Sequence, residues 1–134
     1  MEDTGKITIL VVEDNELNMK LVKTLLEFGG YRVVTAADAE KGIKLAREHH
    51  PDLVLMDIQL PGMDGLTATG IIKNDPELSQ TPVIALTSFA MQGDEEKALD
   101  AGCDAYITKP IDTREFCIRI ADFHNHYDRE TKVS

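Results

Sequence analysis

The stretch "DLVLMDIQLPGMDG", residues 52–65, decides the fold. Four apolar residues, Leu53 to Met56, run straight into Asp57, and the loop that follows is punctuated by Pro61, Gly62 and Gly65. A short, continuously apolar run bounded by turn signals reads as a strand buried on both faces, the habit of parallel sheets. A carboxylate at the end of such a strand is costly unless something nearby stabilises its charge. Asp57 therefore calls for a cationic neighbour.

Outward from this strand the same kind of run recurs. "KITILVV" (6–12) reads as the first strand, "YRVVTA" (31–36) as the second, "PVIALT" (82–87) as the fourth and "AYITK" (105–109) as the fifth, with the quoted strand third at about 52–56. Amphipathic stretches lie between. From Asn15 to Phe28, the residues Leu17, Leu21, Leu25 and Phe28 are spaced to share one helical face, and Gly29 and Gly30 end the helix. Asp38 is a fitting N-cap for "DAEKGIKLAREHH" (38–50), which closes before Pro51. Further helices read over 65–73, 91–102 and 113–127, the last with Phe116, Ile120, Phe123 and Tyr127 at helical spacing. Five strands, each followed by a helix, imply an α/β domain with a parallel sheet and helices on both faces. The expected organisation is one domain over 1–134, with its core at about 6–127 and a polar tail at 128–134 that frays.

The 134 residues suit a single core, and 43% hydrophobic residues suffice to fill it. A formal net charge of −10 argues against nucleic acid or an anionic membrane as partner, because both require clustered Lys and Arg. "MEDTGK" at the N-terminus lacks the apolar segment of a secretory signal. The longest apolar run, "ITILVV" (7–12), is far below a membrane span. Cys103 and Cys117 form no CxxC pair and read as small buried side chains in a reducing compartment, so a cytoplasmic location is expected.

In open parallel sheets ligands bind beyond the carboxyl ends of the strands. There the first strand ends in Glu13 and Asp14, the third in Asp57, the fourth in Thr87 and Ser88, and the fifth in Lys109, followed by Pro110. If these four strands are neighbours, three carboxylates, a hydroxyl and an ammonium converge on one rim. The carboxylates raise one another's pKa values; Lys109 offsets one charge and a divalent cation the others. Oxygen ligands, with no Cys or His near these strand ends, favour Mg2+ over zinc.

"VVEDNE", "LMDIQLPGMDG", "IALTS" and "YITKP", in this order and spacing, closely resemble the receiver domain of two-component response regulators, over about residues 6–127. The resemblance implies a flavodoxin-like (βα)5 three-layer sandwich with strand order 2-1-3-4-5. It implies a phosphoacceptor protein rather than an enzyme, with Asp57 accepting a phosphoryl group from the histidine of a partner kinase or phosphotransfer protein. Glu13, Asp14, Asp57 and the backbone carbonyl of Gln59 would hold Mg2+. Lys109 would pair with the phosphoryl oxygens and the Thr87 hydroxyl would close on one of them. Tyr106 matches the family's switch aromatic, whose turning repacks the face of the fourth helix, fifth strand and fifth helix for a downstream protein target. The Lys109–Pro110 bond is expected to be cis. Gln59 and Phe89 occupy the two positions that tune phosphoryl lifetime, and the Phe89 ring is expected to shield the group from water.

Other readings compete at single residues. Asp14 alone could be a helix N-cap, and Asp64 reads as a turn residue. His124 and His126 lie two apart on a helix and do not face each other, so they make no metal site. A flavodoxin-like FMN carrier fails because "VEDNE" offers carboxylates where a phosphate needs Gly, Ser and Thr amides. A hydrolase of the aspartyl-phosphate kind needs an acid two residues after the nucleophile, where Gln59 stands. A receiver excised from a longer protein, or a phosphate-independent binding module, keeps the same residues. The state expected in solution is a monomer or a weak dimer.

Overall fold

The computed structural model describes residues 7–60, 62–87 and 94–133. Five strands and five helices alternate: β1 (Thr8–Val12), α1 (Glu16–Phe28), β2 (Arg32–Ala36), α2 (Ala39–His49), β3 (Leu53–Asp57), α3 (Gly65–Asn74), β4 (Val83–Thr87), α4 (Asp94–Asp100), β5 (Ala105–Thr108) and α5 (Phe116–Val133). All strand pairs are parallel and the order is β2-β1-β3-β4-β5. β3 lies at the centre and is buried along its whole length, as its unbroken apolar run requires.

Alternation along each strand divides the core in two. Ile9, Val11, Leu53, Leu55, Ile84 and Leu86 face α1 and α5, meeting Val22, Leu26, Phe116 and Ile120. Leu10, Val12, Val54, Met56, Val83 and Ala85 face α2, α3 and α4, meeting Ile43, Ala68, Ile72 and Ala98. The result is the three-layer arrangement expected for this pattern of elements.

Short polar residues start the helices. Asn15, Asp38 and Asp64 accept the N–H groups of Asn18, Lys41 and Thr67 at 2.9, 2.8 and 2.7 Å, so each satisfies one orphan donor. Asp64 is thus the N-cap of α3 rather than only a turn residue. Asn15, not Asp14, caps α1, which leaves the Asp14 carboxylate free of that duty.

Two readings of the sequence need correction. Leu17 and Phe28 do not face the core: they are 79% and 92% exposed, while Val22 and Leu26 are buried, with Met19 and Leu25 beside them. Both sets have helical spacing, and the one that meets the sheet is set by the entry angle of the chain rather than by periodicity. The polar segment after Tyr127 is helical as far as Val133. It contains no Gly or Pro, and Arg129, Glu130 and Lys132 are good helix formers. The expected start of the fourth helix at 91 falls outside the described residues, as does Pro61.

The first residue of α3 is a glycine for a steric reason. A Cβ on Gly65 would run into the carbonyl oxygen of Asp57 and lie 2.7 Å from the Ile58 Cα. The α3 N-terminus therefore sits directly against the backbone that carries Asp57. Gly70, five residues on, has open space around it.

Gly65→Ala is expected to destabilise the fold by about 1–3 kcal/mol, because the obstruction is backbone that cannot rotate away. Gly70→Ala is expected to stabilise it by roughly 0.5–1 kcal/mol through helix propensity. Thermal melts of the two variants should move in opposite directions. Chemical denaturation also separates the two assignments of the α1 face. Leu26→Ala should cost about 2–5 kcal/mol and Phe28→Ala less than about 0.5; the reverse order would restore Phe28 to the core.

Candidate functional site

Asp57 is the last residue of β3 and is 2% exposed. Its Oδ1 accepts the backbone N–H of Gln59 at 2.8 Å, and its Oδ2 accepts from Lys109 Nζ at 3.0 Å. Lys109 follows β5 and is fixed there by its own N–H, which donates to the Thr87 carbonyl at 2.7 Å. Its bond to Pro110 is cis, as expected. The ammonium also lies 2.7 Å from Glu13 Oε1, so one cation serves two buried carboxylates.

Glu13 continues β1 by one residue, its N–H donating to the Ala36 carbonyl at 3.0 Å. Its Oε2 accepts the Asn15 N–H at 3.1 Å. Its Oε1 is buried and makes no aligned hydrogen bond, so the contact with Lys109 is an ion pair without hydrogen-bond geometry. Burial, together with the Asp57 carboxylate, pushes the Glu13 carboxyl above its usual range against the pull of Lys109 and the Asn15 N–H. For Lys109, burial favours loss of the proton, but Glu13 and Asp57 outweigh it and hold the ammonium above the ordinary lysine value. The cluster is an acidic pair bridged by a lysine that stays charged.

Asp14 is exposed on the same rim. Glu13, Asp14 and Asp57 each offer a carboxylate oxygen, all within 4.8 Å of one another. Three hard oxygens, no His or Cys, and one buried oxygen lacking a hydrogen bond fit a hard divalent cation such as Mg2+. These side chains border a cleft of about 430 Å³, together with Asn15, Glu16, Asn18, Gln59 and Lys109. The three carboxylates and the ammonium anticipated at the ends of the first, third and fifth strands are thus side by side.

Thr87 ends β4, 2% exposed, in register with Thr108. Tyr106 lies on β5 opposite Ala85, half-buried, and its carbonyl accepts from Arg119 at 3.3 Å. Beside it is a cavity of about 250 Å³ bordered by Ile107, Arg119, Asp122 and Phe123. Ser88 and Phe89 fall outside the described residues. His124 is half-buried on α5 and lies outside both the cleft and the acidic trio. Sequence reasoning missed Asn18, which lines the cleft; the signal was an amide at the third position after the α1 N-cap.

Among the described residues no helix is long and apolar enough to cross a membrane. Residues 9–121 match the response regulator receiver domain family. Polar-differentiation response regulators DivK from Brucella ovis and Brucella anthropi are 51% and 50% identical over 116 residues, covering 87% of this chain and 94% of theirs. A CheY-like receiver domain protein from Methanospirillum hungatei superposes with a TM-score of 0.86 at 30% identity, covering 94% of this chain and 99% of that one. The receiver domain of the sensor histidine kinase PA1611 from Pseudomonas aeruginosa, with a magnesium ion coordinated in its active-site cleft, superposes with a TM-score of 0.83 at 36% identity, over 90% of this chain and 99% of that one. With the sheet order, the acidic cleft and these likenesses in agreement, the chain belongs to the response regulator receiver domains of two-component signalling.

Proposed function

We infer that this receiver accepts a phosphoryl group on Asp57 from a phosphohistidine of a partner kinase or phosphotransfer protein, in the cytoplasm, and signals by protein docking. The observation that carries this reading is Asp57 itself: a buried carboxylate at the floor of an open cleft, held by one N–H and one lysine. A carboxylate so placed is a fixed nucleophile. One Asp57 oxygen attacks phosphorus, the new O–P bond forms as the P–N bond breaks, and the bonding pair returns to the imidazole nitrogen.

The chain's own residues position the reacting groups and stabilise charge, which is most of what phosphoryl transfer requires. Lys109 stands against Asp57 Oδ2 and moves onto the phosphoryl oxygens as they arrive. The Gln59 N–H keeps Oδ1 oriented. The Thr87 hydroxyl closes on a phosphoryl oxygen from the end of β4. Mg2+, held by Glu13, Asp14, Asp57 and the Gln59 carbonyl, would supply neutralisation of the phosphoryl charge. The Gln59 side chain, and Phe89, set how readily water reaches the product.

The output is read on the face of α4, β5 and α5. Tyr106 packs on the α4 side of β5 within this face, so phosphorylation can shift the balance between two arrangements of it. The role is that of a phosphoacceptor, and the only chemistry assigned to it is gain and loss of its own phosphoryl group.

Intact mass after incubation with a small acyl phosphate is expected to show one added phosphoryl group with Mg2+, none without it, and none in Asp57→Asn. An unmodified wild type that also shows no fluoroberyllate-induced NMR shifts at Thr87 and Tyr106 would sink the reading. The Glu13 carboxyl gives a second, pH-linked outcome. Burial, the largest cause, raises its folded pKa above the ordinary 4.5, so its stabilising protonated form is fully present below that value and its ionisation costs stability as pH rises from there through the folded pKa. Glu13→Gln should therefore raise the melting temperature of the metal-free protein at pH 7 and leave it unchanged at pH 3. It should also weaken Mg2+ binding by about tenfold or more, because one charged ligand is lost. Calorimetric titration with Mg2+ and melts at both pH values check this together.

A further inference from the structure

Asn18 is the third residue of α1 after the Asn15 N-cap. In a capping box this position holds Glu or Gln, whose side chain reaches back to the N-cap N–H. Here that N–H is already given to Glu13 Oε2 at 3.1 Å. The Asn18 backbone N–H is satisfied by Asn15 Oδ1 at 2.9 Å. Its carboxamide makes no hydrogen bond to any described residue. The side chain is half-buried and borders the cleft with Asp14, Asp57, Gln59 and Lys109. It is thus relieved of a capping role at the edge of the cleft that holds the acceptor.

Charge explains why an amide belongs there. The cleft carries the carboxylates of Glu13, Asp14, Glu16 and Asp57 against the single ammonium of Lys109. Lys109 is itself divided between Glu13 and Asp57. An entering phosphoryl group is dianionic and needs donors on each of its three free oxygens. A Glu at position 18, which the helix N-terminus would favour, would add a fifth carboxylate. A neutral Nδ2–H adds a donor and no negative charge.

The geometry points to Asn18 as a phosphoryl-binding residue of this receiver: its Nδ2–H donates to a non-bridging oxygen of the group on Asp57. This rests on Asp57 being the acceptor. The role is binding, so it acts on the affinity for the phosphoryl group rather than on the metal site or the fold.

The test is a 19F NMR titration of the full chain with fluoroberyllate, a tetrahedral phosphoryl mimic, at saturating Mg2+. Asn18→Ala is expected to weaken fluoroberyllate binding by about three- to tenfold, the range for one lost hydrogen bond. Asn18→Ser, which keeps a short donor, should recover part of that loss. Melting temperature and Mg2+ affinity measured without fluoroberyllate should match wild type in both variants. Equal fluoroberyllate affinity in wild type and Asn18→Ala would overturn the assignment. So would a parallel fall in Mg2+ affinity or melting temperature, which would make Asn18 a prop for the loop. If wild type binds no fluoroberyllate at all while remaining folded, the acceptor reading falls first, and the role of Asn18 with it. Asp57→Asn, which should bind none, marks that baseline.

Discussion

The rest of the site depends on one ammonium shared between two buried carboxylates. Lys109 stands 2.7 Å from Glu13 and 3.0 Å from Asp57, both almost fully enclosed. Enclosing either carboxylate alone would force it to take a proton, because desolvation disfavours the charged form. The shared lysine offsets one of the two charges. With Asp14 beside them, two negative charges remain uncompensated, which is the charge a divalent cation carries. The cleft is therefore complementary to Mg2+ in net charge as well as in donor type.

Delivering these groups to one place is the task of the sheet. Parallel strands in the order β2-β1-β3-β4-β5 put the carboxyl ends of β1, β3, β4 and β5 side by side, at the point where the chain's winding changes direction. Each strand spends its length on apolar burial and its last residue or two on chemistry. The backbone then fixes the fine position. The Lys109 N–H is tied to Thr87, the Glu13 N–H to Ala36, and α3 abuts the Asp57 carbonyl so closely that only glycine fits at its start. Side chains held this way are already in place for a ligand at the strand ends.

Much of this was legible in the sequence because strand ends are one-dimensional features. Asp57 after "LVLM", Lys109 after "AYIT" and the Glu13–Asp14 pair after "ITILVV" announce their place without a model of the packing. What was not legible depended on choices between equally good patterns. Leu17 and Phe28 share a helical spacing with Leu21 and Leu25, yet the helix turns Val22 and Leu26 to the sheet. Asp14 and Asn15 are both good caps, and only the structure shows Asn15 taking that role and freeing Asp14 for the rim. Asn18 follows from that choice: its side chain is available because the neighbouring N–H was claimed by Glu13. A propensity scale ranks such residues one by one, whereas their roles are assigned by competition for the same donors.

The same competition gathers like charge at the site around one shared cation. Lys109 is divided between Glu13 Oε1 at 2.7 Å and Asp57 Oδ2 at 3.0 Å, so neither carboxylate has the ammonium to itself. On the proposed function, a cation held by Glu13 and a phosphoryl group paired with Lys109 would cooperate, because each would take one partner of the Glu13–Lys109 contact. Asp57 is held separately by the Gln59 N–H. The clustered acidity of the cleft therefore favours ligands that bring positive charge or that find donors waiting beside it.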